Sequence, residues 1–250
     1  MDFHQCKKMF IAYAKSYLTG NEIFDRNIEL KISHTLRVCS FAAMISEQEK
    51  YSVFDETTLM YAALLHDASR FEQLKLFHTF RDSERFDHGN KAAEMLENNL
   101  FGMKIVGKTE FACIVNAVRL HNKRVIPSDS FNAVKALRDA DKLDIFSVVL
   151  DELDNPSNPD VLYNLSPEKR FSERVWQAVS MQTSPRHCDL ETIDDFVLAK
   201  LAWVYDFNTN AAKNIFRNSG YLPRLRKHLE HNKLSDEAFD KVYKFLQETK

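Results

Sequence analysis

Turn-forming residues are scarce in this chain. Its 250 residues include five glycines and six prolines, about 4% together against about 12% in average usage. Few turns punctuate the sequence and they are widely spaced, which favours long helices over many short strands. Cysteine is equally sparse: Cys6, Cys39, Cys113 and Cys188 form no Cys-x-x-Cys pair and no tight framework. That excludes a disulfide scaffold and fits a reducing, cytoplasmic setting. Charge of one sign is missing too. A formal charge of −2 creates no global field to recruit nucleic acid or an anionic membrane. No apolar run is long enough to span a bilayer, and the start, Met1 to Lys8, has no signal-peptide apolar region. What remains is 44% hydrophobic residues, enough for a sizeable core in one large domain or a domain with an extension.

Apolar residues recur at helical spacing. Met9, Phe10, Tyr13 and Tyr17 form one segment, closed by Gly20. A second helix is expected from near Asn27, with His34, Val38, Phe41 and Ile45 on one stripe. Asp55 is the expected N-cap of the next helix, in which Leu59, Ala63 and His66 share a face, so His66 points inward with Asp67 beside it. From Arg70 to Asp87 the periodicity breaks, and the stretch reads mainly as a loop over a site. His88 opens a helix with Ala92, Met95 and Leu96 on its face. Gly102 and Gly107 mark the following loop. The next helix carries Ile114, Ala117, Val118 and His121 on one side. Pro127 and Asp129 supply a turn and a cap for a helix with Val134, Leu137, Asp141, Ile145 and Val148. Asp151 to Ser166 reads as a linker. Ser166-Pro167-Glu168 then carries the signals of a helix start, three or more helices follow, and Ser235 caps the last. The basic residues between Lys213 and Lys233 read as a solvated helix face.

Six polar residues thus fall on inward faces: His34, His66, Asp67, His88, His121 and Asp141. A single histidine on such a face is most often a core residue bonded to a backbone carbonyl. An aspartate within an apolar stripe is harder to explain, because a buried carboxylate needs a partner. Four imidazoles and two carboxylates together suit divalent transition metals, with the carboxylates shifting the balance toward Mn, Fe or Mg. The set contains no thiolate, which argues against a structural zinc site. Six ligands exceed the need of one catalytic ion and suit two ions sharing an aspartate.

The order His34 … His66-Asp67 … Asp141 resembles the HD-domain metal-dependent phosphohydrolases. The added His88 and His121 resemble the dinuclear branch, which includes HD-GYP cyclic-di-nucleotide phosphodiesterases and HD-type diadenosine tetraphosphate hydrolases. The segments Leu64-Leu65-His66-Asp67-Ala68-Ser69-Arg70-Phe71-Glu72-Gln73, Asp87-His88, His121-Asn122-Lys123 and Arg138 to Asp144 are similar to a bacterial subgroup of HD proteins. The resemblance implies an all-α fold, with an HD-type helical domain over 1–150 and a C-terminal helical extension over 151–250 packed on the same core. It implies that His34, His66, Asp67 and Asp141 hold one ion, and that Asp67 bridges to a second held by His88 and His121. Iron or manganese come first as the ions, with magnesium, nickel or zinc after them. Arg70 stands where related hydrolases place a phosphate-contacting lysine after the His-Asp pair, beside the ions but outside the ligand set, and arginine can grip phosphate bidentately. Lys123 and Lys142 are the further candidates for substrate contact.

The activity implied is hydrolysis of a phosphate ester or anhydride in a nucleotide or another small phosphorylated metabolite, by water activated between the ions, with Asp67 and Arg70 as the catalytic side chains. The chain lacks a Gly-Tyr-Pro motif, which sets it apart from cyclic-di-nucleotide hydrolysis. The same ligand set also resembles the HD-type diiron oxygenases such as myo-inositol oxygenase. A non-catalytic nucleotide sensor is the third reading, and the completeness of the ligand set argues against it. Neither a membrane nor nucleic acid is an expected partner.

Overall fold

A computed structural model describes residues 2–100, 107–230 and 232–248. The described residues are helical with short 3-10 turns, and contain two isolated β-bridges but no strand, as an all-α fold requires. The helices are α1 (Phe3–Lys15), α2 (Glu22–Glu49), α3 (Val53–Leu65), α4 (Arg70–Phe77), α5 (His88–Glu97), α6 (Lys108–Leu120), α7 (Asn132–Asp154), α8 (Glu173–Ser180), α9 (Ile193–Ala202), α10 (Asn210–Asn218), α11 (Tyr221–Lys227) and α12 (Lys233–Glu248). Among the described residues no helix is long and apolar enough to cross a membrane. The chain divides into two compact units, Met1–Asp144 and Ile145–Lys250, with the boundary inside α7.

α3 is the central helix of the first unit. Thr58, Leu59 and every residue from Tyr61 to Ser69 are buried. Its first turn is mostly exposed, but a helix end buried on all sides needs apolar residues all round rather than one stripe, which Leu59, Ala62, Ala63, Leu64 and Leu65 supply. It packs against α2 and α6, and α5 packs against α6. The stripe on α2 is buried at His34, Val38 and Ile45.

Several boundaries differ from expectation, each for a local reason. α2 begins at Glu22, because the Asn21 side chain accepts from the Phe24 N–H at 3.0 Å. The cap of α3 is Ser52, not Asp55. Ser52 Oγ accepts from the Asp55 N–H at 3.1 Å and donates to the Asp55 carboxylate at 2.9 Å. Asp129 lies in the turn before α7, which starts at Asn132. Of the Gly102/Gly107 loop, Gly102 lies outside the described residues. The stretch after Asp67 is not all loop: Arg70–Phe77 is α4, and its mixture of aromatics and both charge signs conceals the helical period.

In the second unit α7 runs on to Asp154, so the connection is shorter than expected. The helix start at Ser166-Pro167-Glu168 is not realised. Ser166 instead pairs with a distant backbone, its N–H reaching Glu191 O at 3.1 Å and its carbonyl accepting from Ile193 N–H at 2.9 Å. That pairing overrides the local cap signal, and α8 begins behind Ser172. Ser235 sits inside α12, where the Asn232 side chain accepts from the Leu234 and Ser235 N–H groups. α9 is buried along nine of its residues and starts in a capping box of Thr192 and Asp195. Phe146, Phe207, Phe216 and Tyr221 form an aromatic cluster, with Phe146 and Phe216 ring centroids 4.8 Å apart. Arg224 and Arg226 of the basic stretch are matched by Asp151, Asp154 and Asp236.

Candidate metal centre

Helix ends in the first unit deliver most of the polar residues to one place. His66 and His121 are the C-cap residues of α3 and α6, and His88 is the first residue of α5. Asp67 lies in the turn between α3 and α4. His34 and Asp141 come from the middles of α2 and α7. Helix ends suit this task because their unpaired backbone groups can hold a side chain in position. The ring Nδ1–H of His66 donates to Ala63 O at 2.8 Å and that of His121 to Val118 O at 2.6 Å.

All six expected residues converge. His34 Nε2 lies 3.1 Å from Asp141 Oδ1 and 3.5 Å from Asp67 Oδ2. His66 Nε2 lies 3.6 Å from Asp67 Oδ2 and 3.7 Å from Asp141 Oδ1. The other oxygen of the same carboxylate, Asp67 Oδ1, lies 3.7 Å from His88 Nε2, which is 2.9 Å from His121 Nε2. The potential donor atoms of His34, His66 and Asp141 all lie within 4.8 Å of one another, as do those of His66, Asp67 and His121.

The tautomers follow from the partners, since a carbonyl or carboxylate oxygen only accepts. His34 Nδ1 is 2.6 Å from Asp144 Oδ2, and His88 Nδ1 is 2.5 Å from Asp82 Oδ2. All four imidazoles therefore present Nε2 toward the two central carboxylates. His34 Nε2 and His66 Nε2 are buried and make no aligned hydrogen bond. Metal–ligand bonds of about 2.1 Å separate neighbouring ligands by about 3.0 Å in an octahedron and about 3.4 Å in a tetrahedron. The observed spacings fall around these values, so the donor set fits divalent metal.

Burial opposes charge on the carboxylates, yet nearby cations prevail. Lys31, His66, Arg70 and His88 hold the Asp67 carboxyl well below the usual range, and the close approach of His34, with His66 and His121 around it, holds Asp141 down as well. Burial keeps His66, His88 and His121 below the ordinary imidazole value. His34 is the exception: burial and Lys31 push it down, but Asp141 and Asp144 raise it overall.

Arg70 lies beside the centre and is already engaged. It contacts Asp67 Oδ1 (3.3 Å), Gln73 Oε1 (2.7 Å), Phe80 O (2.5 Å) and Asp82 Oδ1 (3.0 Å). Lys123 is tied to Asp87, the N-cap of α5. Lys142 is half-buried and stands about 100° round α7 from Asp141. The sequence reading missed a surrounding layer. Lys31 Nζ donates to Asp67 Oδ2 at 2.7 Å, and Arg37 Nε and Nη2 donate to Asp144 at 2.6 and 3.1 Å. Arg138 caps the end of α6 by donating to the carbonyls of His121 and Lys123. Lys31 lies three residues before His34, and Asp144 three after Asp141, so helical spacing put both on faces already singled out. Asp82 had no such signal.

Fold and centre together define an all-helical protein with a buried histidine–aspartate cluster suited to divalent metal. Residues 32–155, about half of the chain, match the family model described as the HD domain, and through this segment the chain belongs to the HD-domain family. No curated protein and no solved structure matches it significantly.

Proposed function

We propose that the chain is a metal-dependent phosphohydrolase that cleaves a phosphate ester or anhydride in a nucleotide or small phosphorylated metabolite. The observation that carries this reading is the convergence of four imidazole Nε2 atoms on two carboxylates, with every Nδ1 occupied elsewhere. One ion is assigned to His34, His66, Asp67 and Asp141. A second is assigned to Asp67, His88 and His121, because the two oxygens of Asp67 face the two groups separately. Such ions supply Lewis acidity, lowering the pKa of water toward neutrality and offsetting charge on phosphate oxygens. Iron or manganese are the first choices for this mixture of imidazole and carboxylate, with magnesium, nickel or zinc behind them.

The chain's own groups orient and neutralise the substrate. Asp67 keeps its charge inside the site because Lys31 and Arg70 flank it. Arg70 is held in one pose by Gln73, Phe80 and Asp82, which pre-organises its guanidinium for a phosphate oxygen. Lys142 and Lys123 are assigned further phosphate contacts, and Lys123 must leave Asp87 to make one. Two cations at the centre favour an anionic substrate, which supports hydrolysis over the diiron oxygenase alternative.

Anaerobic purification with metal analysis, followed by a panel of phosphomonoesters, phosphodiesters and nucleotides, tests the proposal. Turnover with Mn²⁺ or Mg²⁺ in the absence of dioxygen, releasing phosphate or a phosphomonoester, is the expected result. Turnover that needs iron and dioxygen would replace it with the oxygenase reading. Nucleotide binding without turnover would leave a sensor.

A further inference from the structure

His88 is held differently from the other three imidazoles. His66 and His121 close their helices, so a carbonyl three residues back is free to accept their Nδ1–H. His34 is held by Asp144 from α7. His88 opens its helix, and no helical carbonyl precedes it. Its orienting partner must come from outside, and it is Asp82, at 2.5 Å, in the connection between α4 and α5.

Asp82 is itself fastened from several sides. Arg70 Nη1 donates to Oδ1 at 3.0 Å, Gln73 Nε2 to Oδ1 at 3.2 Å and Asn122 Nδ2 to Oδ2 at 3.3 Å. Arg70 and Gln73 also grip the backbone of the same connection, at Phe80 O (2.5 Å) and Arg81 O (3.1 Å). The strand-like contact between Ser83 and Phe86 closes the segment just before His88. The carboxylate is one-third exposed, so it forms the solvent-side edge of the centre rather than part of its core.

We infer that Asp82 is a positioning residue for the His88–His121 half of the centre, making ion binding there dependent on the 78–87 connection being seated. This rests on the two-ion reading above. The ion assigned to His34, His66, Asp67 and Asp141 is linked to Asp82 only through Arg70, which also contacts Asp67, since none of those imidazoles is oriented by Asp82. The two ions therefore respond unequally to any change in the connection.

The test is calorimetric titration of the metal-freed full chain with Mn²⁺, for wild type, Asp82→Ala, Asp82→Asn and Asp82→Glu. Ion-free melting temperatures are measured alongside. Loss of an orienting partner typically weakens metal affinity about 10- to 100-fold. The expected result is a loss of that size in one ion for Asp82→Ala, with the other ion unchanged. Asp82→Asn should fall between, because its amide oxygen still accepts from His88 without the charge, and Asp82→Glu should recover part of the affinity. Should the alanine variant fail to fold, the nearly isosteric asparagine variant carries the same comparison. Two ions bound at wild-type affinity in the Ala and Asn variants would overturn the inference, as would equal weakening of both. Wild-type protein that binds one ion, unaffected by His88→Ala, would overturn the two-ion reading and this inference with it. His88→Ala thus tells the two failures apart.

Discussion

His88 Nε2 and His121 Nε2 face each other at 2.9 Å, one from the start of α5 and the other from the end of α6. Each ring gives its Nδ1–H to an acceptor, Asp82 or the Val118 carbonyl, and burial keeps both rings toward the neutral form. Two lone pairs then point at one another in a buried setting, where such repulsion is poorly screened, and Arg70 Nη2, 3.3 Å from His88 Nε2, reaches only one of them. A cation bound to both relieves it. The chain should carry about two ions when prepared with metal. The double substitution His88→Ala/His121→Ala should leave one, held by His34, His66, Asp67 and Asp141. Metal analysis by mass spectrometry decides, and a metal content unchanged by the double substitution would remove both histidines from the ligand set.

Arg70 joins α4 to the centre and to the connection after it, so its removal should affect folding as well as rate. In Arg70→Ala, Asp67 and Asp82 lose a shared cation and the Phe80 carbonyl loses its donor. A stability loss of about 2–3 kcal/mol is expected, or roughly 5–10 °C in melting temperature for a chain of this size. Hydrolysis of a generic aryl phosphate, normalised to folded, metal-loaded protein, should fall on the order of a hundredfold. Arg70→Lys should restore part of the rate but little of the stability, because one ammonium cannot serve four acceptors at fork spacing. An unchanged normalised rate in Arg70→Ala would confine Arg70 to holding the connection.

Helical periodicity made the centre legible where a helix carried the residue. His34 on the stripe of α2, His121 on that of α6 and Asp141 within that of α7 were each conspicuous because a polar group sat where the core should be. The same reasoning could not reach Asp82, and for Asp144 it gave the face but not the partner. Asp82 lies in an irregular connection, and its role depends on Arg70, Gln73 and Asn122 meeting it in space. Asp144 lies one turn beyond Asp141 but faces His34 from across the unit, 110 residues away in sequence. Boundaries failed where two local signals competed. Ser52 outcompeted Asp55 as a cap because it has the extended backbone and the reciprocal bond to Asp55. At Ser166 a tertiary backbone pairing overrode a helix start that the local residues favoured.

Asp25 joins α1 to α2 through a carboxylate that accepts from Thr19 N–H and Gly20 N–H, both at 2.8 Å. The bond from Thr19 is the main reason its carboxyl lies below the usual range. A depressed acid contributes stability that is fully present above its unfolded value, about pH 4, and lost as the pH falls through the folded value. Asp25→Asn lacks that charge at every pH. The stability difference between wild type and Asp25→Asn, measured by denaturant unfolding, should be constant near neutral pH and shrink below about pH 4. A difference that persists undiminished into strong acid would mean the backbone bonds do not depend on the carboxylate charge.

Gly89 follows His88 in the first turn of α5 and lies against α6, where no side chain fits. A methyl group there would come within 2.5 Å of Asn122 Oδ1 and 3.2 Å of the Val118 carbonyl oxygen. The first contact can be relieved by moving the Asn122 side chain, but that side chain donates to Asp82 and Asp87. The second involves the carbonyl that holds His121 Nδ1. Gly89→Ala should therefore push α5 off α6 and disturb both histidines of the second ion, at about 1–3 kcal/mol of stability, the usual cost of overpacking. Shortening the obstacle should help: Gly89→Ala/Asn122→Ala should melt closer to Asn122→Ala than Gly89→Ala does to wild type, the signature of a direct clash in a double-mutant cycle. Metal affinity at the second ion should follow the same order. Alanine's better helix propensity works in the opposite direction and is worth up to about 1 kcal/mol. A Gly89→Ala variant as stable as wild type, with both ions bound normally, would show that α5 and α6 can separate enough to admit the methyl group without moving His88 from His121.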